Sequence, residues 1–269
     1  MFKDKIVWIT GASSGIGEAF AEAFHAQGAK VIVSALTDEE LKPVLERLPG
    51  SKGLAFNVAD FDALPGLVDQ AEAFFGGIDV LVNNAGITTR ALAKDTDFSV
   101  YRKVIDIDLM APIALTQLVT PIMRKKGSGR IIAIASISGK FGVPMRSAYS
   151  AAKHGVFGYF DALRSEVVYD GIDVHVVGPG SVRTNLARNA LKGDGAAFGR
   201  TDDAIENGFE PAELIQRIFK AIEKGKREIM ISRGRETLGL RLRRFFPERA
   251  FDAVAKATPG IIADMEKAS

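Results

Sequence analysis

Thr10-Gly11-Ala12-Ser13-Ser14-Gly15-Ile16-Gly17 stands between an apolar, β-branched run at residues 5–10 and a helix pattern that continues to about residue 27. Three glycines let the backbone pass close to a ligand, and the helix that follows offers unpaired N–H groups to an anion. The spacing is Gly-x-x-x-Gly-x-Gly rather than the more general Gly-x-Gly-x-x-Gly. Taken alone, such a cluster reads equally well as an ordinary tight turn. At the first strand–helix junction of a parallel α/β pattern it becomes a dinucleotide signal.

Outward from that turn, strand and helix patterns alternate with short connections. Strands are expected at 30–35, 53–58, 78–83, 130–136, 172–177 and 228–232, and helices at 38–48, 61–75, 98–126, 147–169 and 211–224. Pro112 is expected to kink the long helix. Strands that are apolar throughout, rather than alternating, are buried on both faces, which means a parallel sheet covered by helices. The fold class expected is α/β: a single doubly wound parallel sheet of the Rossmann type with helices on both faces. It would occupy residues 1–232, with a substrate lid at about 182–210 and a C-terminal helical extension, 233–269, of the same domain.

A hydrophobic content of 47% and a charged content of 25% over 269 residues allow a large core. A net charge of +2 makes no case for nucleic acid as a partner. The lack of cysteine excludes disulfides and thiol nucleophiles and fits a reducing compartment. His25, His154 and His175 are too dispersed for a metal site, and no metal is expected. Residues 1–5 lead straight into the first strand, leaving no room for a signal peptide, and no run of ~18 uninterrupted apolar residues occurs. A cytoplasmic protein is expected.

Tyr149 and Lys153 lie four residues apart, on one face of the helix expected there, and Ser136 ends the preceding apolar strand. A phenol is a poor base at neutral pH, and an ammonium beside it favours the phenolate. A seryl hydroxyl nearby can hydrogen-bond a substrate oxygen. The three together describe proton exchange with a carbonyl or alcohol, although a Tyr and a Lys four apart are more often a surface pair.

The glycine turn, Asn83-Asn84-Ala85-Gly86, Ser136, Tyr149-x-x-x-Lys153 and Pro179-Gly180 occur in that order. This series resembles the short-chain dehydrogenase/reductase family over roughly residues 3–232. The resemblance implies NAD(P) as cofactor and a small-molecule alcohol or ketone as substrate. It implies that Gly11, Ser13, Ser14, Gly15, Ile16 and Gly17 line the pyrophosphate and ribose, and that Ala35 and Leu36 meet the adenine ribose. Asn57 and Val58 would lie near the adenine, with Asn in place of the family's Asp. Asn83, Ala85 and Gly86 would floor the ribose. Pro179, Gly180 and Val182 would flank the nicotinamide, and Thr184 would reach its carboxamide or the phosphates. Tyr149 is then the acid/base, Lys153 its partner and a ribose ligand, and Ser136 the holder of the substrate oxygen. The resemblance also implies a homodimer or homotetramer.

Two departures stand out. Asp108 occupies the place of the family's active-site asparagine. A carboxylate roughly 7 Å from the ammonium would interact by ~2 kcal/mol at an effective dielectric of ~20. It would steady Lys153 but partly cancel its pull on Tyr149, predicting a more alkaline optimum or lower activity; the plain alternative is a tolerated substitute. At the second strand, Ala35 replaces the aspartate of NAD users and Leu36 the arginine of NADP users. With the excluding carboxylate missing, and with Ser34 and Thr37 as possible phosphate donors against Asp38, the balance tips towards NADP.

Phe141, Val143, Pro144 and Met145 would border an apolar substrate, while Lys140 and Arg146 read as solvated loop charges. The segment 233–249 is rich in Arg, Leu and Phe. It reads as a helix closing the pocket or an oligomer interface, with contact to an anionic membrane surface as the alternative. A 3-oxoacyl thioester reductase and a non-catalytic dinucleotide-binding sensor are the competing functions.

Overall fold

A computed structural model describes residues 1–200 and 203–266. Its strands are β1 (Ile6–Thr10), β2 (Lys30–Ser34), β3 (Lys52–Gly53), β4 (Val80–Asn83), β5 (Gly129–Ile134), β6 (Ile172–Pro179) and β7 (Glu228–Ile231). All pair in parallel in one sheet of order β3-β2-β1-β4-β5-β6-β7. The helices are α1 (Gly15–Ala26), α2 (Asp38–Arg47), α3 (Leu64–Phe75), α4 (Phe98–Ile105), α5 (Ala111–Lys126), α6 (Ser147–Val167), α7 (Asp203–Glu206), α8 (Pro211–Glu223), α9 (Arg235–Phe245) and α10 (Pro247–Glu266).

Side chains alternate across each strand, so one strand feeds two cores. On β1, Val7 and Ile9 pack with Phe20 and Phe24 of α1 and Ile218 and Phe219 of α8. Ile6 and Trp8 face the opposite layer, with Val68 of α3, Val119 of α5 and Phe160 of α6. Each core buries well over a dozen aliphatic and aromatic side chains, which explains the unbroken apolar strands. The strand order reverses between β1 and β4, and such a reversal opens a crevice at the carboxyl ends of the strands.

Three elements differ from the sequence expectation. The third strand has only two ladder residues, although Leu54 N and Phe56 N still donate to the carbonyls of Val33 and Ala35. Helix α3 begins at Leu64, with a proline in its first turn, rather than at 61. The long helix does not simply kink at Pro112: it passes through a π-helical turn, Asp106–Met110, where Ala111 N bonds Asp106 O. Pro112 has no N–H to give the Asp108 carbonyl, so the backbone widens just before it. Among the described residues, the stretch Phe98–Lys126 is the one helix long and apolar enough to cross a membrane by length and composition, where the sequence offered no uninterrupted run. Its buried residues, among them Val104, Leu115 and Val119, pack in the interior.

Candidate active site

The cleft at the strand ends is lined by the turn residues Gly11, Ser13, Ser14, Gly15 and Ile16, by Asn84, Ala85 and Gly86, and by Asp108, Ser136, Tyr149 and Lys153. Pro179, Gly180, Val182 and Thr184 close its far wall. Residues spread over 174 positions of sequence, from Gly11 to Thr184, thus meet in one crevice.

The turn is built for a large anion. Ser14, the residue before α1, makes no side-chain cap, so the first-turn N–H groups of the helix remain available to an outside acceptor. Gly11 has φ +64°, and a Cβ there would lie 2.7 Å from Ala85 Cα. A Cβ at Gly17 would collide with the Gly11 carbonyl oxygen, so Gly17 lies behind the turn and sets its curvature. Asn84 locks the arrangement, its Nδ2 donating to Thr10 O at 3.0 Å and Gly11 O at 2.9 Å. The group lining the cleft is therefore Asn84 rather than Asn83, which is buried and donates to Thr116 Oγ1 at 2.9 Å.

Ala35, Leu36, Asn57 and Val58 do not line this cleft. They gather at the end of β2, where Phe56 N donates to Ala35 O and Asn57 Oδ1 accepts from Ala59 N. The two hydroxyls read as phosphate donors have structural roles instead. Ser34 is buried and accepts from Trp8 Nε1 at 2.9 Å. Thr37 caps α2 by accepting from Glu40 N, while Glu40 Oε2 accepts from Leu36 N at 3.2 Å.

Tyr149 and Lys153 stand one turn apart on α6, both buried, with the Lys153 ammonium 5.5 Å from the centre of the Tyr149 ring. Val104, Ala148 and Ala152 pack around the tyrosine. Ser136 ends the segment after β5 in extended conformation, its Oγ accepting from Ser138 N at 3.1 Å. The short turn behind it presses on α6, because a Cβ at Gly139 would lie 2.5 Å from the Lys153 carbonyl oxygen.

Asp108 is much closer than expected. Its Oδ2 lies 3.1 Å from Lys153 Nζ, and its Oδ1 accepts from Ile87 N at 2.8 Å. The Oδ2 contact is ionic and is not aligned as a hydrogen bond; Nζ donates to Ile134 O at 3.0 Å instead. Burial pulls the Lys153 ammonium down, but Asp108, with help from Tyr149, outweighs it and holds Lys153 above the ordinary lysine value. Burial likewise pushes the Asp108 carboxyl above its ordinary range, against the pull of Lys153 and the Ile87 amide. The π-helical turn brings this about, since it carries Asp108 inward beneath Gly86, where a Cβ would meet Oδ2 at 2.9 Å.

The substrate end differs from the expectation. None of Phe141, Val143, Pro144 and Met145 lines the cleft, whereas Ile87, Leu186, Ala187 and Ile205 do, beside Arg90, Arg146, Asn185 and Asn189. Arg90 is buried, and its backbone N–H bonds Leu191 O, tying the loop after β4 to the segment after β6. Lys140 is engaged away from the cleft, paired with Glu228 at 3.0 Å. No residue of 233–249 lines the cleft, so the pocket-closing role read for that segment is not what the structure shows. It does contribute Glu236, whose Oε1 accepts from Ser181 N at 2.8 Å and Ser181 Oγ at 2.7 Å, against the face of Gly180. No local spacing in the sequence points to that contact.

A family model described as short chain dehydrogenase matches residues 5–195. Dehydrogenase/reductase SDR family member 7B of Bos taurus is 35% identical over 263 residues, covering 94% of this chain and 81% of that protein. The Drosophila melanogaster protein named dehydrogenase/reductase SDR family protein 7-like is 36% identical over 260 residues, covering 94% and 80%. A short-chain dehydrogenase from Streptomyces avermitilis superposes with a TM-score of 0.77 at 27% identity, covering 98% of this chain and 96% of that one. A short chain dehydrogenase/reductase from Burkholderia phymatum, solved in complex with NAD, gives a TM-score of 0.82 at 22% identity over 92% and 95%, a likeness of fold. With its parallel sheet, its glycine turn and these matches over most of its length, the chain belongs to the short-chain dehydrogenase/reductase family.

Proposed function

We propose that this oxidoreductase interconverts a secondary alcohol and a ketone with a nicotinamide dinucleotide. The observation that carries the reading is that Ser136, Tyr149 and Lys153 open onto the same cleft as the uncapped glycine turn. A bound nicotinamide supplies or accepts the hydride. Ser136 Oγ holds the substrate oxygen, and Tyr149 exchanges a proton with it. The Lys153 ammonium favours the phenolate and reaches towards the ribose, while Asp108 keeps that ammonium charged and in place.

The dinucleotide favoured is NAD. Ser34 and Thr37, the donors that spoke for a 2′-phosphate, are engaged within the chain, and Glu40 sets a carboxylate against Leu36 N where an extra phosphate would approach. For the substrate, the apolar patch of Ile87, Leu186, Ala187 and Ile205 suits a hydrocarbon body. Arg90 and Arg146 on the same wall suit a polar or anionic substituent.

Turnover of a carbonyl panel with NADH and NADPH, for wild type beside Tyr149→Phe, tests the reading. Loss of turnover by at least ~100-fold with dinucleotide binding kept is expected. Dinucleotide binding with no Tyr149-dependent turnover would instead favour a sensor, and a preference for NADPH would overturn the cofactor assignment.

A further inference from the structure

Beyond the cleft, the C-terminal helices α9 and α10 pack against each other as a hairpin whose corner is Phe246-Pro247. The corner is aromatic and exposed, with Phe245 67%, Phe246 55% and Phe251 51% accessible. Soluble surfaces carry single exposed phenylalanines, but three within seven residues at one tip form a patch. Each ring has its own guanidinium: Arg244 lies 5.9 Å from Phe245, Arg249 5.5 Å from Phe246 and Arg243 4.8 Å from Phe251. Leu238, 65% exposed, stands two turns before Phe245 on the same face of α9.

Charge singles out the same region. Residues 233–249 hold six arginines (233, 235, 241, 243, 244 and 249) and two acids, Glu236 and Glu248, a balance of +4, whereas the whole chain carries +2. Glu236 is spent on Ser181. Among the described residues none of the six arginines makes an ion pair, whereas Arg47, Arg124, Arg130, Arg164, Arg183 and Arg217 elsewhere all do. Arg243 Nε is buried and finds no acceptor among the described residues.

We propose that the tip of the α9–α10 hairpin docks on an anionic lipid bilayer, the three phenylalanines entering the headgroup boundary while the arginines meet lipid phosphates. Aromatic rings flanked by arginine suit that boundary, where one end of each group is apolar and the other is wet. Unpaired guanidinium groups match a negative leaflet, and a phosphate oxygen satisfies the donor that Arg243 leaves unmet. A second protein copy fits less well, because the tip would set Arg243, Arg244 and Arg249 against their own like charges. Glu236, in the first turn of α9, ties the hairpin to the loop at Gly180, so the docked tip lies about 14 Å along the helix from the cleft wall.

The test is flotation of the full-length protein with neutral phosphatidylcholine vesicles and with vesicles containing phosphatidylserine, at low and high salt. Binding at least about 10-fold stronger to the anionic vesicles, and lost at high salt, is expected. Phe245→Ser/Phe246→Ser and Arg243→Gln/Arg244→Gln/Arg249→Gln should each abolish flotation while leaving turnover of a water-soluble carbonyl and the melting temperature unchanged. Wild type that stays in solution with every vesicle overturns the proposal. So does a tip variant that changes the sedimentation-determined subunit number without altering vesicle binding.

Discussion

Asp108 Oδ2 and Lys153 Nζ lie 3.1 Å apart in the interior of the protein, the carboxylate on the π-helical turn and the ammonium on α6. This is contact, not the roughly 7 Å separation expected for the replaced asparagine. The carboxylate therefore neutralises the ammonium locally and weakens its hold on a neighbouring phenolate. Asp108→Asn keeps the acceptor for Ile87 N–H and removes the charge. The rising limb of alcohol oxidation against pH should move to lower pH, with activity near neutrality increasing by about 10-fold, the effect of about 1.4 kcal/mol. An unmoved pH–rate profile would show that the charge plays no part.

Asp108→Ala leaves Lys153 buried with no counter-charge. Loss of one partner of such a pair costs about 3–5 kcal/mol, so denaturant unfolding should show both Asp108→Ala and Asp108→Asn less stable than wild type, with the alanine variant the lower because it also leaves Ile87 N–H without its acceptor. Stability equal to wild type in both variants would mean that water replaces the carboxylate at no cost.

Gly17→Ala places a methyl group against the Gly11 carbonyl oxygen and the Asn84 amide. Overpacking of this kind costs about 1–3 kcal/mol, and here it falls on the turn that a pyrophosphate would occupy. Dinucleotide affinity measured by calorimetry should drop by roughly 5- to 150-fold on that scale. Gly66→Ala is the control, because its Cβ meets open space on α3 and should leave affinity unchanged.

Glu236 holds Ser181 through two hydrogen bonds and so fixes the loop expected to flank the nicotinamide. Glu236→Ala removes both and should raise the KM for the dinucleotide by about 5- to 10-fold, as one net hydrogen bond of ~1 kcal/mol implies, with a smaller change in kcat. Glu236→Gln retains an acceptor oxygen and should largely restore the wild-type KM. Identical constants for all three proteins would show that the loop is held by other contacts.

His175 on β6 is buried with Nδ1 2.8 Å from Lys226 O, and burial lowers its pKa below 6.5, with Arg130 and Arg164 adding to the effect. The unfolded chain therefore binds this proton more readily, and stability falls as pH drops from about 6.5 through the folded-state value. Asp79 adds to the acid side: burial raises its carboxyl, but the Ile6 amide and Lys126 outweigh this and hold it below 3.8. The stability it contributes above that value is lost as pH falls through the lowered one. His175→Gln should flatten the loss between about pH 7 and pH 5 and leave the more acidic step in place, as urea midpoints across that range would show.

How much was legible depended on the range of each interaction. Unbroken apolar strands disclosed the parallel sheet, because burial on both faces writes itself into every position. Tyr149 and Lys153 were legible because α-helical spacing alone puts them one turn apart. For Asp108 the sequence shows the helix but not the distance to Lys153, since the turn before Pro112 leaves the α-helical period. Ser34 and Thr37 looked available because their partners, Trp8 Nε1 and Glu40 N, are set by sheet register and a helix cap. Glu236 was invisible: its partner lies 55 residues away, joined only through the packing of α9.

The reversal of strand order between β1 and β4 also bears on how much folded protein a cell would hold. The glycine turn belongs to the portion built from β1 to β3, whereas Ser136, Tyr149 and Lys153 belong to the portion that follows β4. The seam between them is the pairing of Val7, Trp8 and Ile9 with Val80, Leu81 and Val82, reinforced where Asp79 accepts from Ile6 N and pairs with Lys126. A dinucleotide bound as proposed crosses that seam and closes it like a clasp. Its supply would then govern the lifetime of the protein against proteolysis as well as its rate of turnover, since whatever binds only the closed form withdraws the opened one from degradation.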